Sequence, residues 1–137
     1  MIALLTTARI SPLRLALLGL AFSLGLGLTS CGKPAEIEYA KLKYSDSGLF
    51  LDPATQKPFT GIAREHYPNG QASKEYPMKN GQLHGLVKEW YKNGQASAST
   101  EFQNGERTGQ NTEWKESGAL YMQRVYDHDH IVSEKKY

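Results

Sequence analysis

The sequence predicts an all-β protein: a single-layer antiparallel β-meander built from about three hairpin repeats with a 24-residue period. A Tyr-x-Asn-Gly-Gln motif at residues 67–71 returns at 91–95, and an Asn-Gly pair with a later glycine at 80–85 returns at 104–109. Glu65, Glu89 and Glu113 follow the same period. A fixed period of this size is the sequence signature of a repeat architecture.

The Asn-Gly pairs predict the turns. Asn-Gly between half-apolar segments favours a two-residue type I′ turn, because both central residues need positive φ, which Asn and Gly tolerate. The asparagines lie at positions 69, 80, 93 and 104, so the steps between them alternate between 11 and 13. The same steps continue to Ser117-Gly118 and His128-Asp129. Each period is therefore expected to contain two strands and two turns.

About nine strands are expected between these turns. Their mixture of aromatic, β-branched and charged residues suits strands, and none is the continuous apolar run of a buried parallel strand. Lysines on the first and last strands are expected to protect the edges of the sheet against aggregation: Lys41, Lys43, Lys135 and Lys136. The strands are expected at residues 39–44, 48–52, 60–67, 71–78, 85–91, 95–102, 109–115, 119–126 and 131–136.

Alternation along the strands assigns residues to faces. The three glutamates share one face with Tyr67 and Tyr91. Two-residue turns would place Arg64 opposite Glu75, Glu65 opposite Lys74 and Trp114 opposite Tyr121. The other face is expected to carry Ile62, Arg64, His66, Leu86, Lys88, Trp90 and Trp114.

The aromatic row on this second face has three interpretations. It packs the sheet, it forms a platform for a protein partner, or it stacks on sugar rings of cell-wall glycan. The candidate partner-binding residues are Trp90, Trp114, His66 and Lys88. Trp is enriched at binding hot spots. The glutamate row is interpreted as structural, because exposed carboxylates about 10 Å apart do not perturb each other enough for acid–base catalysis.

The repeated motifs resemble the MORN repeat variant. Tyr-x-Asn-Gly-Gln, Lys-Asn-Gly-x-x-x-Gly and Glu-Trp-Tyr carry the resemblance, which covers residues 48–137. It implies the hairpin-repeat fold. Many bacterial members are labelled antitoxins of toxin–antitoxin systems, so an antitoxin-like function is one implication. Ser117-Gly118 and Asp129 depart from the pattern, and degenerate terminal repeats commonly act as caps.

Residues 1–30 resemble a bacterial lipoprotein signal peptide. Arg9 and Arg14 precede an apolar run at 15–28, which is too short for a typical membrane span, and Leu28-Thr29-Ser30-Cys31 matches a lipobox. Cys31 is the only cysteine and is the expected lipidation site. The alternative is an ordinary signal peptide with an incidental cysteine. Residues 31–38 are expected to be the lipidated cysteine and a tether, and residues 39–137 the repeat domain.

Lipidation predicts the location. Attachment through more than one acyl chain gives stable anchoring to a membrane. By the resemblance, Gly32 after the cysteine favours the periplasmic side of the outer membrane if the host has two membranes. Removal of Arg9 and Arg14 lowers the 16 basic residues of the whole chain to 14, which equals the 14 acidic ones. The neutral balance gives nucleic-acid binding no electrostatic basis.

The sequence shows no catalytic, cofactor-binding or metal site. The nearest metal candidate, His128-Asp129-His130, falls where other repeats have Asn-Gly and is interpreted as a degenerate final turn. The expected function is a non-enzymatic, lipid-anchored protein-interaction module that binds another envelope protein. The alternatives are an antitoxin or immunity-type protein that neutralises a toxin, and a lipoprotein that binds cell-wall glycan.

Overall fold

The computed structural model describes residues 33–137, and these residues are all-β. The predicted signal peptide and the predicted lipidation site, Cys31, lie outside the described residues. The described part contains one short 3-10 turn, Tyr39–Lys41, and eleven strands. The strands are β1 (Glu36–Glu38), β2 (Lys43–Tyr44), β3 (Phe50–Leu51), β4 (Gly61–His66), β5 (Ala72–Lys79), β6 (Gln82–Leu83), β7 (Gly85–Trp90), β8 (Ala96–Gln103), β9 (Glu106–Trp114), β10 (Leu120–Asp127) and β11 (His130–Lys136).

Nine of these strands form one sheet, in the order β1-β4-β5-β7-β8-β9-β10-β11, with β6 beside β5. From β4 onward every pairing is antiparallel. This confirms the predicted antiparallel sheet. Strands β2 and β3 form a separate small hairpin.

The beginning of the described chain differs from the prediction. Residues 36–38, assigned to a tether, form β1, which pairs with β4 in parallel. The 3-10 turn interrupts the strand predicted at 39–44 and takes the chain off the sheet. The first edge of the sheet therefore carries Glu36 and Glu38, and the assignment of Lys41 and Lys43 to that edge is wrong. Lys135 and Lys136 do lie on the opposite edge strand, β11.

Two kinds of turn alternate along the sheet. At the short-turn end, defined by residues 80–81, 104–105 and 128–129, both central residues have positive φ, as a type I′ turn requires. At the long-turn end, defined by residues 68–70, 92–94 and 116–118, only the glycine has positive φ. There the glycine N–H donates to the carbonyl three residues earlier, as in Gly70 N to Tyr67 O at 2.8 Å. The predicted two-residue turns are wrong at this end.

The longer turns also decide the register. Arg64 lies opposite Glu75 and Glu65 opposite Lys74, as predicted, because a shift between Glu65 and His66 compensates for the longer turn. Trp114 lies opposite Leu120, so its predicted pairing with Tyr121 is wrong. In the hairpin of β9 and β10 the register shift falls between Leu120 and Met122, and Trp114 lies between this shift and the turn.

Hydrogen bonds between successive hairpins recur at the short-turn end of the sheet. Gly81 N donates to Phe59 O at 2.8 Å and Gly105 N to Leu83 O at 2.9 Å. Asp129 N donates to Arg107 O at 3.0 Å in the same way. Because each of these bonds reaches back across almost one full period, the turn of one hairpin is fixed to the hairpin before it. The sequence period therefore corresponds to a hydrogen bond that recurs between successive hairpins.

Most of the buried side chains lie on one face of the sheet, the inner face, which carries Ala63, Glu65 and Glu89. A cluster of buried apolar side chains, Phe59, Ala63 and Met78, lies under the segment from β1 to β3. The sheet is one layer, as predicted, and at this end the segment from β1 to β3 covers its inner face. The partly buried side chains around the cluster are Ile37, Tyr39, Leu42, Phe50, Tyr76 and Leu83.

Candidate functional site

The opposite face, the outer face, carries a shallow depression at the long-turn end. We call it the tryptophan groove, and its volume is about 230 Å³. It contains both tryptophans of the chain and Lys88, three of the four residues predicted to bind a partner. Its lining residues on the outer face are Leu86, Lys88, Trp90, Ala96, Ser99 and Trp114, and Glu89 and Ala98, which alternate to the inner face, also border it.

The groove results from the order of side chains on three neighbouring strands. Trp90 ends β7 and Trp114 ends β9, and β8 lies between them. Strands two positions apart are about 10 Å apart. Ala96 lies opposite Trp90 on the intervening strand, and Ser99 lies opposite Lys88. Because these side chains on β8 are small, a trough remains between the two indole rings.

Tyrosines of the preceding hairpins hold the backbone of both tryptophans. Tyr67 Oη donates to Trp90 O at 2.7 Å, and Tyr91 Oη donates to Trp114 O at 2.8 Å. Both tyrosine hydroxyls are part-buried, where a hydrogen bond lost without replacement costs more than on the surface. The two tryptophans are therefore presented by equivalent contacts one period apart.

Lys88 contributes its aliphatic stem to the groove, while its ammonium group points to a carboxylate. Lys88 Nζ lies 3.6 Å from Glu75 Oε1. Glu75 also accepts two hydrogen bonds from Arg64, at 3.1 Å from Nε and 3.0 Å from Nη2. Arg64 Nη1 forms an ion pair with Glu36, 2.5 Å from its Oε2. We call this alternating row of Glu36, Arg64, Glu75 and Lys88 the charge ladder. A lysine can bury its stem while its charge is paired elsewhere.

His66 does not join the tryptophan groove. Its Nδ1 lies 3.1 Å from Glu38 Oε1 on the edge strand, in a separate polar depression that Arg64 and Lys41 also line. The prediction that His66 shares a face with the tryptophans agrees with the strand alternation. The structure nevertheless places it at the first edge of the sheet, away from the trough.

The glutamate row has cross-strand partners on the inner face. Glu65 accepts from Tyr76 Oη at 3.0 Å, Glu89 lies 3.2 Å from Lys74 Nζ, and Glu113 pairs with Arg124. Burial first, and then the hydrogen bond to Glu65, raises the pKa of Tyr76. These cross-strand contacts agree with the interpretation of the glutamate row as structural.

The His128-Asp129 pair forms the final type I′ turn, with φ of 47° and 65°, so its interpretation as a degenerate turn is confirmed. Within residues 33–137, no group of three or more His, Cys, Asp or Glu side chains is placed to hold a metal ion. The same part of the chain contains no helix that is long and apolar enough to cross a membrane. No family model, curated protein or solved structure matches this chain.

Sequence reasoning missed the part of the groove that comes from β8. It identified the large residues Trp90 and Trp114 but not Ala96 and Ser99, which create the space between them. The signal was present, because residues 96–99 are an unbroken run of small side chains, Ala-Ser-Ala-Ser, between two strands that end in Trp. Sequence reasoning also missed an apolar surface around Tyr44 on the small hairpin.

Proposed function

We propose that this protein is a non-enzymatic, lipid-anchored binding module of the cell envelope, and that it holds a protein partner in the tryptophan groove. The observation that supports this proposal is the trough between Trp90 and Trp114, with small residues of β8 as its floor. Binding hot spots are enriched in Trp and lie in pockets from which water is excluded. Leu86, 40% exposed, extends the apolar surface along β7.

The size and lining of the groove favour a side chain of a protein over a small molecule or a glycan. Small-molecule sites commonly have about 300–1,000 Å³, and this groove has about 230 Å³. A sugar needs hydrogen-bonding groups around a stacking surface. Here both charged lining residues are already paired, Lys88 with Glu75 and Glu89 with Lys74. An apolar anchor residue of a partner matches this lining better.

The lipobox at Leu28-Thr29-Ser30-Cys31 supports the location in the envelope. The resemblance to the MORN repeat variant supports a protein target as well, because the antitoxin label of that family implies binding to a toxin. In this proposal a toxin is one kind of partner, and it would have to act in the envelope, where the anchored domain can reach it.

Site-specific photocrosslinking in the native host tests the proposal. A photoreactive amino acid replaces Leu86 at the groove or, as a control, Val125 on β10. Both residues are 40% exposed, so collision alone gives them equal crosslinking. We expect one discrete protein adduct at Leu86 and none at Val125. Equal adducts at both positions, or adducts to glycan only, would contradict the proposal.

Ala96→Gln fills the groove without removing a packed side chain, because Ala96 is exposed. Ala72 is the equivalent residue one period earlier and lies opposite His66, so Ala72→Gln is the matched control. We expect Ala96→Gln to abolish the Leu86 adduct while the thermal midpoint stays close to that of the control. If Ala96→Gln retains the adduct, the groove is not the binding site.

A further inference from the structure

A second apolar surface lies on the N-terminal part of the described chain. We call it the aromatic patch, and it consists of Tyr39, Ala40, Leu42, Tyr44 and Phe50. Tyr44 is 68% exposed, although its ring centroid is 5.0 Å from that of Phe50. The ring centroids of Phe50 and Tyr39 are 5.5 Å apart, and both residues pack against the core cluster. The patch is therefore continuous with the core and is not an isolated exposed side chain.

The patch and the entry point of the chain lie at the same end of the sheet. Ala35 O accepts a hydrogen bond from Ile62 N at 2.8 Å, next to Gly61, where a Cβ atom would lie 2.2 Å from Ala35 O. Gly61 begins β4 at the short-turn end. Phe50 N donates to Gly81 O at 2.8 Å, so the patch also adjoins a turn of that end.

The covalent chain limits the distance between this end and the proposed lipid. Cys31 is four residues before Ala35. Four residues span at most about 14 Å when fully extended. This step depends on the proposed function, because it takes Cys31 as the point of attachment to the membrane. A lipid on Cys31 then keeps the short-turn end close to the bilayer surface.

We propose that the aromatic patch docks into the headgroup region of the bilayer and orients the sheet, with the long-turn end directed away from the membrane. Tyrosine is enriched at membrane interfaces, because its ring is apolar and its hydroxyl can remain hydrated. The six residues of β7 separate Trp90 from the short-turn end by about 17 Å. The orientation therefore presents the tryptophan groove to partners beyond the headgroups.

The charges around the patch are mixed. Lys41 and Lys43 are exposed beside it, and so are Asp46 and Glu106 at the same end. The docking is therefore driven by aromatic burial together with the anchor, and not by attraction to anionic lipids. Contact with neutral lipid, phosphatidylcholine alone, is expected to be sufficient.

Fluorescence quenching in vesicles tests the orientation with the full-length, lipidated protein. Single cysteines are introduced by Ala40→Cys in the patch or by Ser117→Cys in a distant long turn, and a fluorophore is attached to each. Both positions are exposed, and in the proposed lipoprotein the lipid occupies the Cys31 thiol. In phosphatidylcholine vesicles with nitroxide-labelled lipid, we expect at least threefold stronger quenching at position 40. Tyr44→Ser in the Ala40→Cys background should reduce this difference.

The possible results separate the two proposals. If the protein floats with the vesicles but both positions are quenched equally, the docking of the patch is overturned and the anchor remains. If the protein does not float with vesicles, the anchor is overturned, and the orientation with it. If the fluorophore at position 40 is shielded from quencher more strongly as protein concentration rises, a second copy covers the patch, which also overturns the inference.

Discussion

At the residue scale, asparagines in the two kinds of turn have different backbone conformations. Asn104 has a φ of 52°, whereas Asn93, in a long turn, is not among the residues with positive φ. Asn93 instead uses its side chain, which accepts from Gln95 N at 2.9 Å and donates to Glu116 O at 3.0 Å. The same residue type therefore stabilises one turn through its backbone and the other through its amide group.

This difference predicts that glycine is favoured over alanine at position 104 but not at position 93. A left-handed residue with a Cβ costs about 1–2 kcal/mol, and glycine avoids this cost. Asn104→Gly should therefore be more stable than Asn104→Ala by about 1 kcal/mol, measured by urea unfolding. At position 93 both substitutions lose the same side-chain bonds, so Asn93→Gly should be no more stable than Asn93→Ala. A glycine advantage of equal size at both positions would refute the two turn types.

His128 makes the stability of the last turn depend on pH. The hydrogen bond to Asp127 at 2.6 Å, the charge of Asp127 and the charge of Glu106 raise the pKa of His128 above its ordinary value. The contact with Arg107 lowers the pKa of Asp129, which keeps that neighbouring carboxylate charged. Protonated His128 stabilises the folded state fully below the pKa of the unfolded chain. That contribution is lost as pH rises through the raised pKa.

A titration of His128 by NMR should therefore give a pKa above about 6.5, the ordinary value for histidine. Asp127→Asn should return it toward that value. Unfolding measurements should show wild-type stability falling with rising pH above about 6.5, relative to His128→Asn, which keeps a residue that tolerates positive φ. A pKa at or below the ordinary value would contradict the contact.

At the element scale, the charge ladder joins four strands, and its members differ in strength. Arg64 donates two hydrogen bonds to Glu75, whose side chain is 19% exposed, whereas Lys88 is 46% exposed and 3.6 Å away. Hydrogen bonds to charged groups contribute about 1.5–3 kcal/mol, and exposed ion pairs about 0–1 kcal/mol.

Arg64→Gln should therefore lower the free energy of unfolding by roughly 1.5 kcal/mol, near the low end because both side chains are partly exposed to solvent. Lys88→Gln is the matched control and should cost less than about 1 kcal/mol. Urea unfolding at low and high salt measures both. Equal losses for the two variants would mean that the ladder acts only through diffuse charge.

The strands show which features the sequence could predict. The alternating turns fix the strands from β4 onward, and Arg64 lies opposite Glu75 as predicted. The first of the longer turns could also have been predicted, because proline has a fixed φ that suits the second position of a type I turn, and Pro68 occupies that position. Strand β1 could not be predicted from the sequence. It is very short, and it pairs Glu36 with Ile62 on a strand far along the chain, which leaves no periodic signal.

The tryptophan groove was predictable only in part, for a similar reason. The repeat period places Trp90 and Trp114 in equivalent positions, and this information is local. Which side chain lies between them depends on the pairing of β7 with β8, where a register shift places Ala96 opposite Trp90. The separation of His66 from the groove likewise depends on β1, since Glu38 holds its ring.

At the scale of the whole molecule, the clustered part of the apolar core lies at one end of the sheet. Phe59, 4% exposed, packs with Ala63 and Met78 beneath the N-terminal segment. Truncation of a buried Phe to Ala costs about 3–5 kcal/mol, a large part of the roughly 5–15 kcal/mol that stabilises a typical domain. Phe59→Ala should therefore lower the free energy of unfolding by about 3–5 kcal/mol and shift the cooperative unfolding transition to lower urea concentration. Val132→Ala on β11, where the side chain is 60% exposed, should leave it nearly unchanged.

The uneven core also predicts a gradient of local stability along the sheet. Every residue of β11 is exposed, including Ile131 at 53%, and within the described sheet this strand pairs with β10 alone. Regions with few buried apolar contacts open at lower free energy than the core. Hydrogen exchange under native conditions should therefore be fastest in β11, slower in β8, and slowest in β4 and β5, which contribute Ala63 and Met78 to the core. Phe59→Ala should accelerate exchange in β4 and β5 far more than in β11, because Phe59 packs with Ala63 and Met78 only at that end. Uniform protection across the sheet would show that the hydrogen bonds between hairpins, and not the N-terminal core, set its stability.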